Sequence, residues 1–246
     1  MKAFVFSDLH TSYKQLANME DYIHDHPEIG AIIFAGDLLN MGEPVGFAQQ
    51  FLGVLDRLNV TLLWVPGNND FGMGFFRLKA KFPSLEGKIV EVNTSVISAK
   101  AGIQANSDGS LGTILKNTTG PEDDNIVKFT GVGGSPASWA GQYSGETMID
   151  RKKIAGTIFV SHVPPPGAHN YQKFDNYSPT SKKLSDVPKV HICGHIHHTW
   201  GVAYLGTTKI VKLAPLESGF YAIMDLENLS VEFGQFKEPS KIKDVE

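Results

Sequence analysis

Five short apolar runs, residues 3–6, 31–35, 61–65, 157–161 and 190–193, each give way to a polar tip. Runs of this length bounded by turn residues are best read as buried strands. After the first, Leu16, Met19 and Ile23 recur at helical spacing behind Ser12-x-x-Gln15, which resembles a capping box. His24 and His26, at the end of that helix, read as solvated. After the second run, Phe47, Phe51, Leu55 and Leu58 share one helical face of residues 44–58. After the third, a short helix is predicted over 75–82. Three strand-helix units in succession imply a mainly parallel sheet, whose ligand sites gather beyond the carboxyl ends of its strands. Asp8, His10, Asp37 and Asn68 all fall at such ends.

Beyond residue 89 the pattern changes. Short β-prone pieces at 89–92, 95–99 and 126–131 are separated by Gly, Asn, Asp and Ser, as in a meander. Residues 121–125 read as a solvated acidic loop, and 133–145 as a glycine-rich loop that matches no phosphate-loop spacing. Pro164 to Pro166 prevent a helix from following 157–161 directly, leaving a rigid loop that runs to Tyr177. The remainder reads as antiparallel strands at 202–205, 210–213, 221–224 and 231–233, with a turn at Glu227-Asn228. The sheet is therefore mixed, or divided into two that stack. With 246 residues, 41% of them hydrophobic, one large core suffices, and a single domain over 1–246 is expected.

Residues i and i+2 of extended chain leave the backbone on the same side, so His195 and His197 can reach one point, as can Asp8 and His10. Adding Asp37, Asn68 and His162 gives seven nitrogen and oxygen donors at the ends of five strands. The single cysteine, Cys193, excludes an internal disulfide framework and a cysteine-rich zinc site, and is read as a small buried strand residue. Such a donor set suits Mn, Fe, Ni or Zn, and Mg less well. Seven ligands exceed what one ion usually takes from protein, so two divalent metal ions sharing a bridging carboxylate is the economical arrangement.

Asp8-x-His10, Gly36-Asp37, Gly67-Asn68, His162 and Gly194-His195-x-His197 resemble, in matching order over residues 3–198, the motifs of the calcineurin-like metallophosphoesterases. The resemblance implies an α/β (α+β) fold, a four-layer αββα sandwich of two mixed β-sheets flanked by helices. It implies one metal on Asp8, His10 and His197, a second on Asn68, His162 and His195, and Asp37 bridging both. It also implies hydrolysis of phosphate esters by attack of a metal-bridging hydroxide, without a phosphoenzyme intermediate. Two divalent ions outweigh the charges of Asp8, Asp37 and such a hydroxide, so a phosphate anion is attracted.

The chain departs from the family in the third motif. Many relatives carry a histidine after Gly-Asn, thought to protonate the leaving oxygen, where this chain has Asn69. General acid help contributes about 10² to 10⁴ in rate, so alkoxide leaving groups should be disfavoured and phosphodiesters somewhat preferred. His169 and His198 are candidate substitutes for the acid. Asn69 could instead hydrogen-bond a phosphate oxygen, and Asp70 could orient Asn68 or a metal-bound histidine. Asn40 is either a further supporting residue or a loop cap.

The formal charge of -4, without a basic block, argues against long nucleic acids and leaves a small phosphate ester or nucleotide as the expected substrate. No apolar run approaches membrane-spanning length and no secretory signal is seen, so a cytoplasmic location is expected. The alternatives are a scaffold or binding protein that keeps the fold without turnover, and a phosphomonoesterase or nucleotide phosphatase.

Overall fold

In β1 (Lys2–Phe6) and β2 (Ile29–Phe34), alternate side chains go to two different cores, which is why these runs are apolar at every position. Ala3, Val5, Ala31 and Ile33 face one cluster, and Phe4, Phe6, Ile32 and Phe34 face another. The computed structural model describes residues 1–40, 45–95, 125–134, 154–165 and 187–237.

The second of these clusters is filled by three helices. α1 (Tyr13–Asp25) contributes Leu16, Met19 and Ile23, α2 (Val45–Leu58) contributes Phe47, Phe51 and Leu55, and α3 (Met73–Lys81) contributes Leu78. All are buried against β1, β2 and β3 (Thr61–Trp64). The capping box does not form. Ser12 holds the N-cap position of α1 without a side-chain cap bond, because Gln15 turns inward and accepts from Asn18 Nδ2 at 2.9 Å. His24 stays exposed, as its place in the last turn suggested.

The remaining strands are β4 (Val90–Asn93), β5 (Ile126–Val132), β6 (Ile158–Ser161), β7 (Val190–Cys193), β8 (Gly201–Leu205), β9 (Thr208–Lys212), β10 (Phe220–Asp225) and β11 (Val231–Gln235). They complete two mixed sheets of order β11-β10-β1-β2-β3 and β4-β5-β6-β7-β9-β8. Strands β1, β2 and β3 are parallel, as their strand-helix rhythm required. The meander extends only to the antiparallel pair β4-β5, after which β5, β6, β7 and β9 run parallel. The C-terminal strands are likewise not one antiparallel series. Strand β9 lies parallel to β7 while antiparallel to β8, and β10 leaves that sheet to pair antiparallel with β1. The hairpin between β10 and β11 is the turn expected at Glu227-Asn228, closed by Asp225 Oδ1 accepting from both backbone N–H groups.

The sheets stack through Val5, Ile33, Leu63 and Met224 on one and Phe129, Val160, Ile192 and Val211 on the other. The three described helices thus cover the outer face of the first sheet, and Val132, Ile154 and Phe159 form a separate cluster on the outer face of the second. Residues 96–99, 121–124, 135–145 and 166–177 of the predicted β-prone pieces and loops lie outside the described residues.

Candidate metal centre

The carboxyl ends of β1, β2, β3, β6 and β7 meet at one edge of the stacked sheets, and their backbone tips are tied to one another. The N–H groups of Asp8, Leu9 and His10 donate to the carbonyls of Gly36 and Asp37 at 2.9, 2.9 and 3.2 Å. His195 N–H donates to Asp8 Oδ2 at 3.0 Å. Asp8, His10, Asp37 and His195 all have left-handed backbone, with φ of 54°, 45°, 61° and 68°. Such conformations cost non-glycine residues about 1 to 3 kcal/mol each and concentrate at functional sites. The tips approach too closely for larger residues. A Cβ on Gly67 would lie 2.0 Å from Asp37 Oδ1, and one on Gly194 would lie 2.3 Å from Ser7 Oγ.

These tips bring the seven expected donors into two adjoining groups. In the first, His197 Nε2 lies 3.2 Å from Asp8 Oδ1 and 3.4 Å from His10 Nε2. In the second, His162 Nε2 lies 3.0 Å from Asn68 Oδ1, 3.1 Å from His195 Nδ1 and 3.3 Å from Asp37 Oδ2. Asp37 Oδ2 is also 3.9 Å from His10 Nε2, which sets this carboxylate between the groups. Within each of the triads Asp8-His10-His197 and Asp37-His162-His195 the donor atoms lie within 4.8 Å of one another.

The chemistry of this set fits cations. His162 Nδ1 donates to the Ala35 carbonyl at 2.8 Å, so in a neutral ring the lone pair of Nε2 faces an amide oxygen, a carboxylate oxygen and another imidazole. Acceptors so arranged repel one another unless a proton or a metal ion lies among them. Without a cation the proton is held tightly. Burial lowers the His162 pKa, but the hydrogen bond to Asp37 and the charges of Asp8 and Asp37 outweigh it and push the group up to about 9. Burial raises the carboxyls of Asp8 and Asp37, yet their histidine partners bring both below the ordinary range. His195 is lowered by burial and by the charge of His162.

Asn69 is turned onto Asp37. Its Nδ2 donates to Asp37 Oδ2 and its backbone N–H to Asp37 Oδ1, both at 2.8 Å. Asp70 orients neither Asn68 nor a histidine by any hydrogen bond seen among the described residues. It is buried between the tips of β2 and β3 and accepts from the N–H groups of Asp37, Leu38, Leu39 and Gly67 at 2.8 to 3.1 Å. Burial and the charge of Asp37 raise its pKa to about 6, against the bonds from the Gly67 and Leu39 N–H groups and the charge of His162. Asn40 supports the first motif by donating from Nδ2 to the His10 carbonyl at 3.0 Å. His198 is exposed, Cys193 is buried and free, and His169 lies outside the described residues. One contact was not foreseen. Glu217 Oε1 lies 3.5 Å from His197 Nδ1, brought there by the return of the chain to the first sheet.

The profile of the calcineurin-like phosphoesterases matches residues 1–199. The chain belongs to that family. It is 26% identical over 228 residues to the UPF0046 protein T07D4.2 of Caenorhabditis elegans, an alignment covering 84% of this chain and 54% of that protein. The chain therefore spans about half the length of that curated relative. In fold, this calcineurin-like phosphoesterase is similar to TT1561 of Thermus thermophilus, with a TM-score of 0.60 at 14% identity over 95% of this chain and 98% of the other. No helix among the described residues is long and apolar enough to cross a membrane.

Proposed function

We propose that this chain hydrolyses small phosphate esters, phosphodiesters in preference to monoesters, at a centre of two divalent cations. The observation that carries the proposal is the position of Asp37 between the two triads, one carboxylate serving both. Asp8, His10 and His197 would hold one ion, Asn68, His162 and His195 the other, and Asp37 would be shared. The nitrogen and oxygen donors suit Mn, Fe, Ni or Zn. When bound, the two ions would supply Lewis-acid activation of water and neutralise charge on the phosphate.

The protein's own part is to hold the donors in place. Backbone bonds between the strand tips fix Asp8 and His10, Asn69 fixes both oxygens of Asp37, and the Ala35 carbonyl fixes the His162 ring. The residue in the family's proton-donor position is Asn69, which cannot protonate a leaving alkoxide at neutral pH. That favours phenolic, strained cyclic or otherwise weakly basic leaving groups. Phosphodiesters of nucleotide size match this preference and the absence of a basic block.

The test is turnover by protein reconstituted with Mn²⁺ on bis(4-nitrophenyl) phosphate and 4-nitrophenyl phosphate, repeated once in ¹⁸O water. Faster hydrolysis of the diester, with label entering the product in a single turnover, is the expected result. Faster monoester hydrolysis would make the chain a phosphomonoesterase. Bound metal with neither substrate cleaved would favour a scaffold that keeps the fold.

A further inference from the structure

We infer that Glu217, which lies beyond the family-matched residues, is a positioning residue that sets the tautomer and orientation of His197 for cation binding. The inference rests on the proposed metal centre. His197 presents its two ring nitrogens to different partners. Nε2 faces Asp8 and His10, where the ion would sit, and Nδ1 faces Glu217 Oε1 at 3.5 Å. A ligating histidine must offer an unprotonated nitrogen to the ion and keep its proton on the other one, and a carboxylate beside that other nitrogen enforces this choice. Glu217 is on the far side of the ring from the donor cluster, so it acts through His197 and does not itself join the first triad.

The placement is anchored from two directions. Glu217 N–H donates to the Asp8 carbonyl at 3.1 Å, and Leu216 N–H donates to the Ser7 carbonyl at 2.9 Å, so the segment is clipped to the very tip that carries Asp8. The Leu216 side chain is fully buried with the helix-side core, and Gly219, at φ 87°, closes the single 3-10 turn Leu216–Ser218. A carboxylate tethered to Asp8 and facing a second histidine of the same triad is placed like a deliberate support. The residue is about one-third exposed, so a glutamate there answers no need of the core.

The test compares wild-type, Glu217→Ala and Glu217→Gln by Zn²⁺ titration calorimetry and by the ¹⁵N shifts of the His197 ring in Zn²⁺-loaded protein. Glu217→Ala should lose roughly 10- to 100-fold in affinity for one of two Zn²⁺ ions and shift the His197 Nδ1 resonance, because the N–H there loses its neighbouring carboxylate. Glu217→Gln, which keeps an oxygen beside Nδ1–H, should recover most of both. Two-site binding by wild-type with unchanged affinity and unchanged His197 shifts in Glu217→Ala would overturn the role of Glu217 alone. Absence of Zn²⁺ binding by wild-type would overturn the metal centre and this inference with it.

Discussion

Asn69 and Asp70 occupy adjacent positions in the third motif and serve different needs. Asp70 answers four backbone N–H groups that would otherwise be buried without acceptors. Replacing it with alanine strands them, at a cost of about 3 kcal/mol or more. Urea unfolding of metal-free Asp70→Ala should show that loss as a lowered midpoint, and an unmoved midpoint would mean that water satisfies the donors. Asn69 holds both oxygens of Asp37, one of them through its side chain. Asn69→Ala removes that bond and leaves the backbone one, so kcat should fall about tenfold by loosened positioning. Because the effect passes through Asp37, mono- and diester hydrolysis should decline by the same factor. A loss confined to one ester class would point instead to contact with the substrate.

At the scale of strands, His191 shows what burial does to a titratable group away from the donors. It lies on the outer face of β7, packed edge-on against Phe159 of β6, with Nε2 2.7 Å from Ser161 Oγ. Ser161 Oγ donates to the Val163 carbonyl, so the ring is the donor in their shared bond. Burial lowers the His191 pKa to about 3. An unfolded histidine titrates near 6.5, so between these values the unfolded chain binds the extra proton. The contribution of His191 is full above about pH 6.5 and declines below it, by up to about 1.4 kcal/mol per pH unit. His191→Gln, which keeps an N–H donor, should flatten stability against pH over this window, and parallel curves for the two proteins would refute the assignment. The run 190–193 reads as a buried strand, but its pattern did not say which face would carry His191 or what would cover it there. The strands themselves were legible, because runs such as Ala31 to Ala35 are apolar on both faces only when both faces are covered. Beyond β3 the local hairpins were legible too, but β9 beside β7 and β10 beside β1 were not, since these are long-range choices that local pattern does not encode. Asp8, His10, Asp37, Asn68, His162, His195 and His197 stood out through spacing at strand ends. Glu217 did not, because its approach to His197 depends on β10 crossing back to the first sheet.

The whole molecule places its donors on both sides of a seam. Asp8, His10, Asp37 and Asn68 follow strands of the first sheet, whereas His162, His195 and His197 follow strands of the second. Cations held between them would therefore link the sheets in addition to their shared apolar core, and the unfolded chain has no such site. Binding confined to the folded state adds about 2.7 kcal/mol for each site at a free ion concentration one hundred times its dissociation constant. For a chain of this size that corresponds to a rise in Tm of roughly 5 to 10 °C, reversed by a chelator. Ions and protons compete for the same nitrogens, and His162 holds its proton up to about pH 9 in the metal-free protein, so loading at neutral pH should release a proton. The rise in Tm at fixed Mn²⁺ should accordingly shrink as pH falls from 8 to 6. Asp37→Ala, which removes a carboxylate within reach of both groups, should abolish most of the rise at every pH, whereas loss of a single independent ion site would leave about half of it. Thermal scans with and without Mn²⁺ distinguish these outcomes, and a full rise in Asp37→Ala would show that the two ions do not share that carboxylate.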